Sequence, residues 1–127
     1  MLVSAMSEYT DVSLKAYEAV TKDDLDAFLA VTDENVEFYS LVEDKTYRGH
    51  DGVRDWWGNV INALADVPLE LADVSDGGDR GFVKIEVKGG DSAMPDAIWQ
   101  AAKVKDGKAV WWGIFTKEKQ AEKALKK

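Results

Sequence analysis

The stretch YRGHDGVRDWW, residues 47–57, contains a change from strand to helix. A short strand-like segment ends just before Gly49, which supplies a turn. Val53 and Trp57 then recur at helical spacing, one turn apart, while the polar Arg54 and Asp55 lie off that stripe. The stretch therefore predicts a strand, a tight turn and an amphipathic helix in succession. It also holds His50, the only histidine of the chain. The role of the stretch is therefore either catalytic or structural.

The segments on either side of this unit show helical periodicity before it and strand alternation after it. The order of elements predicts an α+β domain, with helices on one face of a curved sheet and a single domain over residues 1–127. The predicted elements are helices over 7–20 and 23–31, strands over 35–41 and 46–48, the helix over 51–64, strands over 69–74, 81–88, 97–105 and 109–116, and a short final helix capped by Thr116.

Composition and charge exclude several classes of function. The 127 residues include no cysteine and one histidine, which argues against disulfides, thiolate chemistry and a histidine-based zinc site. The net charge of −8, from 24 acidic and 16 basic residues, disfavours nucleic acid and anionic lipid as partners. The N-terminal MLVSAM is too short and uncharged for a signal peptide, and no apolar run is long enough to span a bilayer. We expect a cytoplasmic protein without metal or cofactor.

The segment AIWQAAKVKDGKAVWWGIF, residues 97–115, allows two hairpin registers. A two-residue Asp106-Gly107 loop pairs Val104 with Ala109 and places lysines on the apolar face. A three-residue loop from Lys105 to Gly107, with Gly107 at positive φ, pairs Val104 with Lys108 instead. Because a shift of one residue moves every side chain to the opposite face, the register with a coherent apolar face is predicted. That face contains Ile98, Gln100, Ala102, Val104, Val110, Trp112 and Ile114.

The predicted register gives each face of the hairpin a distinctive feature. Gln100 becomes the one polar residue in the middle of the apolar face, opposite Trp112, and marks either a local hydrogen bond or the floor of a pocket. The opposite face collects Trp99, Trp111 and Phe115. An exposed apolar patch of this kind is typical of an interface, which predicts a homodimer formed through the sheet.

Several motifs in this order resemble one superfamily. They are AYEAV and DLDAFLAV in the first two helices, VEF at the start of a strand, the stretch at 47–57, and KDGKAVWW in the last hairpin. This combination resembles the nuclear transport factor 2-like superfamily, in its SnoaL-like branch, which includes polyketide cyclases and ketosteroid isomerases. The resemblance covers nearly the whole chain. It implies a cone-shaped α+β barrel, in which a strongly curved, mostly antiparallel sheet wraps three N-terminal helices, with a short C-terminal helix and an apolar cavity, usually in a homodimer.

The isomerase relatives use an aspartate base together with a tyrosine and a protonated carboxylic acid that form an oxyanion hole. Phe38 follows Val36-Glu37 at the position of the base, so that aspartate is missing here. The buried acid corresponds to Gln100, whose amide donates hydrogen bonds but gives up no proton. The tyrosine corresponds to Tyr17. The resemblance therefore implies a related fold without the isomerase acid–base pair, and any isomerase-, cyclase- or hydrolase-like reaction would need a different base.

Two functions remain open from the sequence. The first is a small-molecule-binding protein whose cavity accepts a compact hydrophobic or aromatic ligand, with or without catalysis through neutral donors such as Tyr17 and Gln100. The second is a non-catalytic binding or interaction module. Tyr17 suits either a backbone hydrogen bond or a ligand contact, Trp57 either core packing or a pocket wall, and His50 a helix start better than catalysis. The predicted pocket residues are Tyr17, Phe38, Ser40, Trp57, Gln100 and Trp112.

Overall fold

The first two helices begin at side-chain caps. In the computed structural model, which describes residues 7–41, 43–61, 69–87 and 96–126, the Ser7 hydroxyl accepts a hydrogen bond from the Thr10 N–H and starts α1 (Glu8–Thr21). The Asp24 carboxylate accepts one from the Ala27 N–H and starts α2 (Leu25–Ala30). Both predicted helices are confirmed to within two residues at each end. Within the described ranges, no helix is both long enough and apolar enough to cross a bilayer.

The strand–turn–helix unit predicted from residues 47–57 is confirmed. β2 (Lys45–Arg48) runs into α3 (Gly49–Trp56), and Gly49 makes the turn at a φ of +68°, in the left-handed region that favours glycine. The helix starts two residues earlier than predicted, and it changes at Trp57 into a π-helical segment (Trp57–Ile61). Its predicted end at Leu64 lies outside the described residues.

The strands form one six-stranded sheet in the order β2-β1-β6-β5-β4-β3. β1 and β6 pair in parallel, and every other neighbouring pair is antiparallel. The sheet is not closed on itself, since β2 and β3 form its two edges in the described part of the chain. The α+β class and the mostly antiparallel sheet are confirmed. The remaining strands are β1 (Thr32–Ser40), β3 (Leu69–Asp76), β4 (Arg80–Val87), β5 (Ala97–Lys105) and β6 (Lys108–Phe115).

The β5–β6 hairpin corrects the predicted loop. Lys105 pairs with Lys108 and Val104 with Ala109, so the loop has two residues, Asp106 and Gly107, both at positive φ. The twist of such a loop matches that of the strands, which favours it over the three-residue alternative. A β-bulge then leaves Val110 unpaired, so that the next pair is Lys103 with Trp111.

The bulge restores the predicted distribution of side chains between the two faces. Trp112 and Ile114 join Ala102 and Val104 in the core, and the lysines of the hairpin lie outside it. The prediction that Val110 lies on this face is wrong. Val110 is the extra residue of the bulge and is only half-buried. Gln100 lies opposite Ile114 rather than Trp112, because the shorter loop and the bulge each shift the register by one residue.

The two faces of the sheet carry separate apolar clusters. The inner face packs against α1, α2 and α3 and holds the main core. The outer face is partly covered by α4 (Glu118–Leu125), whose Ala121 is fully buried against Phe82, Ala101 and Phe115. The Arg80 guanidinium donates to the carbonyl of Leu125 and fixes the end of this helix (2.9 Å).

The start of α4 differs by one residue from the prediction. Lys117, and not Thr116, is the N-cap residue. The side-chain oxygen of Gln120 accepts hydrogen bonds from the backbone N–H groups of Thr116 and Lys117 (3.2 and 3.1 Å). A side chain of the first turn therefore holds the two residues that lead into the helix.

Candidate functional site

Aromatic side chains pack together between the helices and the inner face of the sheet. The ring of Phe28 on α2 lies 5.7 Å from Trp56, 5.4 Å from Trp57 and 5.3 Å from Trp112, measured between centroids. The ring of Phe38 on β1 lies 4.4 Å from Trp56. All of these side chains are buried. They form what we call the ring cluster: Phe28, Phe38, Trp56, Trp57 and Trp112.

Two of the three indole N–H groups in the ring cluster have partners among the described residues. The indole N–H of Trp112 donates to the hydroxyl of Thr32 (3.1 Å), which in turn donates to the carbonyl of Phe28 (2.8 Å). The indole N–H of Trp57 donates to the carboxylate of Asp23 (2.8 Å). Because a buried polar group needs a partner to offset its desolvation, these bonds fix both rings in place.

Trp56 differs from its neighbours because its indole N–H has no partner in the described part of the chain. The residue is 2% exposed, so bulk water does not satisfy the group. The helical stripe read from the sequence selected Trp57 and missed Trp56. The sequence does contain a signal for Trp56, because residues three and four positions after Val53 lie on the same side of a helix as Val53.

Polar groups also interrupt the inner face of the sheet itself. Gln100 is 6% exposed and lies between Val83 of β4 and Ile114 of β6. Ser40 flanks Ile114 on the other side, and its hydroxyl accepts a long hydrogen bond from the Glu43 N–H (3.4 Å). The alternation of β1 therefore turns Phe38 and Ser40 inward as predicted.

Tyr17 lies on α1 and is half-buried. Its hydroxyl donates to the carbonyl of Leu69 at the start of β3 (3.0 Å). A phenol carries one proton, and Tyr17 already donates it to Leu69. The Tyr17 oxygen can therefore only accept a further hydrogen bond. The geometry corresponds to the backbone-paired alternative that the sequence left open.

His50 contacts the carbonyl of Thr32 through Nε2 (2.7 Å). A carbonyl only accepts, so Nε2 carries the proton in this contact. The same Thr32 receives the N–H of Trp112 through its hydroxyl. His50 thus ties the start of α3 to the start of β1, which supports the structural interpretation of the stretch at 47–57.

The buried polar side chains of the described residues are all uncharged. They are Ser13, Thr32, Ser40 and Gln100. No carboxylate or histidine joins them in those ranges, and no three His, Asp or Glu side chains gather there as metal ligands. Together with the ring cluster, these side chains offer hydrogen bonding by neutral groups and packing against rings.

Tyr47, on the inner side of β2, is a buried titratable group beside the ring cluster, with its ring centroid 6.2 Å from that of Phe38. Burial raises the pKa of its phenol above the usual value, and so does the hydrogen bond that the hydroxyl donates to the Glu43 carboxylate (2.7 Å). The neutral phenol is therefore the form that the fold favours.

We expect the stability of the protein to fall with rising pH in the alkaline range because of Tyr47. A raised folded-state pKa contributes stability that is present below the unfolded pKa of about 10 and is lost as pH rises through the folded value. Urea midpoints measured from about pH 9 to pH 11 should fall less steeply in Tyr47→Phe than in the wild type. Tyr39→Phe, on the outer face, serves as the control. Equal slopes for wild type and Tyr47→Phe would contradict the assignment.

The residues predicted at a dimer interface lie on the outer face. The indoles of Trp99 and Trp111 are half-buried, with the ammonium groups of Lys84 and Lys103 at 5.6 and 5.4 Å from their ring centroids. Phe115 is 6% exposed, because Trp111 and the cluster under α4 cover it. Of the three residues, Trp99 and Trp111 are the ones with accessible surface.

Comparison with known proteins agrees with the fold described above. The family model of the SnoaL-like domain matches residues 14–113. The chain belongs to the SnoaL-like family. No functionally curated protein sequence matches this SnoaL-like chain.

Solved structures share the fold of this SnoaL-like protein at low sequence identity. A proposed polyketide cyclase from Sinorhizobium meliloti is 20% identical, with a TM-score of 0.68 over 82% of this chain and 93% of its own. TerC, co-crystallised with polyporic acid, is 20% identical, with a TM-score of 0.70 over 95% of this chain and 100% of its own. A protein with a ketosteroid isomerase-like fold from Catenulispora acidiphila, in complex with trimethylamine, is 11% identical, with a TM-score of 0.66 over 89% and 90%. Likeness at these identities shows a shared fold, but it does not show a shared substrate.

Proposed function

We propose that this SnoaL-like protein binds a compact hydrophobic or aromatic small molecule between its helices and the inner face of its sheet. The observation that carries the proposal is the position of Gln100, a buried amide in the centre of an apolar face. Binding sites for small molecules typically combine apolar and aromatic walls with a few polar groups that fix orientation. The ring cluster would supply the walls, and Gln100 with Ser40 the polar groups.

Two structural neighbours support the binding of a small organic molecule by this fold. TerC was crystallised with polyporic acid, and the Catenulispora acidiphila protein is in complex with trimethylamine. Both are small organic molecules held by proteins of this fold. At such low identities, the neighbours do not specify the ligand of this chain. Its own buried residues favour an uncharged, ring-containing compound.

The residues favour binding without acid–base catalysis. Phe38 stands where the isomerase relatives have their base, and the described residues include no buried carboxylate or histidine. An enzyme of this design would have to stabilise a developing oxyanion with neutral donors. Because Tyr17 already donates to Leu69, the amide of Gln100 is the better candidate of the two.

A thermal-shift screen of ring-containing compounds tests the proposal. A ligand present at 100 times its Kd stabilises the folded state by about 2.7 kcal/mol, which raises the melting temperature by several degrees. If no ring compound raises it, the pocket proposal fails, and a module that acts through its surface becomes the better description.

We expect Gln100→Leu to lose most of the shift produced by any ligand that carries a polar group. Leucine keeps a similar size but removes the amide, so the variant itself should fold with equal or greater stability. Lys105→Leu, which lies at an exposed position on the same strand, serves as the control. Ligand-induced shifts in Gln100→Leu equal to those of the wild type would make Gln100 a structural residue only.

We also propose that Trp99 and Trp111 contact a second copy of the chain. Two half-exposed indoles on neighbouring strands give an apolar surface that α4 leaves uncovered. Light scattering coupled to gel filtration should give a dimer for the wild type and a monomer for Trp111→Glu. Lys108→Glu, at the exposed hairpin end, should remain dimeric. A monomeric wild type at micromolar concentration would rule out this interface.

A further inference from the structure

Trp56 offers a hydrogen bond that the described residues do not use. Its indole nitrogen is buried without a partner among them, whereas the indole nitrogens of Trp57 and Trp112 both donate to other residues. A buried donor without a partner loses its hydration and gains no hydrogen bond in return, so native structures contain few of them. Such a group therefore calls for a partner from outside this part of the chain.

The surroundings of Trp56, within the described ranges, give this N–H no conventional acceptor. Its ring neighbours are Phe28, Phe38 and Trp57, at centroid distances of 5.7, 4.4 and 6.0 Å. The faces of aromatic rings are weak acceptors that do not replace a carbonyl oxygen. The indole N–H of Trp57 is another donor and not an acceptor, and it already donates to the carboxylate of Asp23.

The backbone that follows Trp56 is unusual in a second, independent way. The helix widens directly after this residue into the π-helical segment Trp57–Ile61. Segments of this kind are rare and occur frequently at functional sites. The unpaired donor thus lies at the junction between an ordinary helix and a π-helical turn, beside the inner face of the sheet.

We infer that Trp56 is a ligand-binding residue, and that its indole N–H donates to an uncharged acceptor oxygen, such as a ketone or quinone carbonyl, of the bound molecule. This inference rests on the proposed function and specifies the ligand further. An uncharged acceptor is indicated because the buried polar residues of the described ranges, Ser13, Thr32, Ser40 and Gln100, carry no positive charge. The net charge of −8 also disfavours an anion.

Binding of α-tetralone and of tetralin, which differ by a carbonyl group, tests this inference in the full-length protein. The wild type should bind α-tetralone about three- to tenfold more tightly than tetralin, the range expected for one neutral hydrogen bond. Trp56→Phe keeps an aromatic ring without the N–H and should remove this preference. Trp99→Phe, on the outer face of the sheet, makes the same change in volume and should retain it. Naphthoate, an anion of similar size, should bind more weakly than α-tetralone.

Two further measurements are independent of the affinity. The chain has five tryptophans, so the indole signal of Trp56 is the one absent from the proton–nitrogen correlation spectrum of Trp56→Phe. In the wild type that signal should move downfield with α-tetralone and not with tetralin. Without ligand, Trp57→Phe should lose more stability than Trp56→Phe, because only Trp57 gives up an existing hydrogen bond.

The outcomes separate this inference from the proposed function. Equal affinities for the two compounds, or a preference that survives in Trp56→Phe, would overturn the role of Trp56 and leave the pocket intact. The role of Trp56 is overturned in the same way if both compounds fail to bind while other ring compounds from the thermal-shift screen do bind. Failure of every ring compound would overturn the inference and the proposed function together.

Discussion

Replacing Trp112 with alanine is expected to remove about 3–5 kcal/mol of folding free energy, the usual loss when a large buried aromatic side chain is truncated. Trp112 is 1% exposed, its ring stacks on Phe28, and its N–H donates to the hydroxyl of Thr32. A domain of this size is stable by only about 5–15 kcal/mol, so the variant should unfold at a much lower urea concentration.

The adjacent residue provides a matched control. Trp111 has the same side chain on the same strand but points to the outer face, where it is half-buried over Gly113. Trp111→Ala should therefore cost only about 1 kcal/mol in a monomer. Trp112→Phe should fall between the two alanine variants, since it keeps a ring on Phe28 and loses the hydrogen bond to Thr32. Equal losses for Trp111→Ala and Trp112→Ala would contradict the assignment of the two faces.

Elements that depend on local pattern were predicted well from the sequence. α1 carries its own cap at Ser7, and the glycine at position 49 supplies the turn before α3. These signals act within a few residues along the chain, where capping and backbone preference are strong. The parallel pairing of β1 with β6 was not predicted, because it joins segments more than 70 residues apart and no local pattern specifies it.

The last hairpin shows how a correct face can be predicted from a wrong loop. The assignment of Trp112 and Gln100 to the inner face is correct because burial of apolar side chains decides it. The loop was wrong because a regular ladder was assumed on both sides of Asp106-Gly107. A bulge at Val110 allows the favourable two-residue loop and the coherent face to coexist.

The candidate site was predicted in its composition but not in its hydrogen bonds. Periodicity marked Trp57 as a core residue and missed Trp56, and both are buried. The indole of Trp57 has a partner because Asp23, 34 residues earlier in the chain, lies within hydrogen-bonding distance of it. Asp23 lies at the turn before α2 with a φ of +53°. Contacts between distant segments of this kind follow from the tertiary structure, and helical spacing alone assigned the site to Trp57 instead of Trp56.

Gly81→Ala is the second substitution expected to have a large effect, although it adds a single methyl group. Gly81 begins the inner face of β4 and pairs with Ala102. A Cβ at this position would lie within clash distance of the carbonyl oxygen of Ser75 and 2.8 Å from two ring atoms of Tyr9. Tyr9 is fully buried, and the Ser75 oxygen belongs to the backbone of β3, so neither is free to move aside.

The methyl group must therefore displace α1 or separate β3 from β4, and we expect a loss of about 3 kcal/mol, at the upper end of the usual cost of overpacking. Gly58→Ala provides the control, because a Cβ there meets no atom of the described residues within 4 Å. That variant should unfold at the urea concentration of the wild type or slightly above it, since alanine favours helix. If Gly81→Ala were as stable as Gly58→Ala, Tyr9 could not pack directly on the backbone of β4, and the placement of α1 over the sheet would have to be revised.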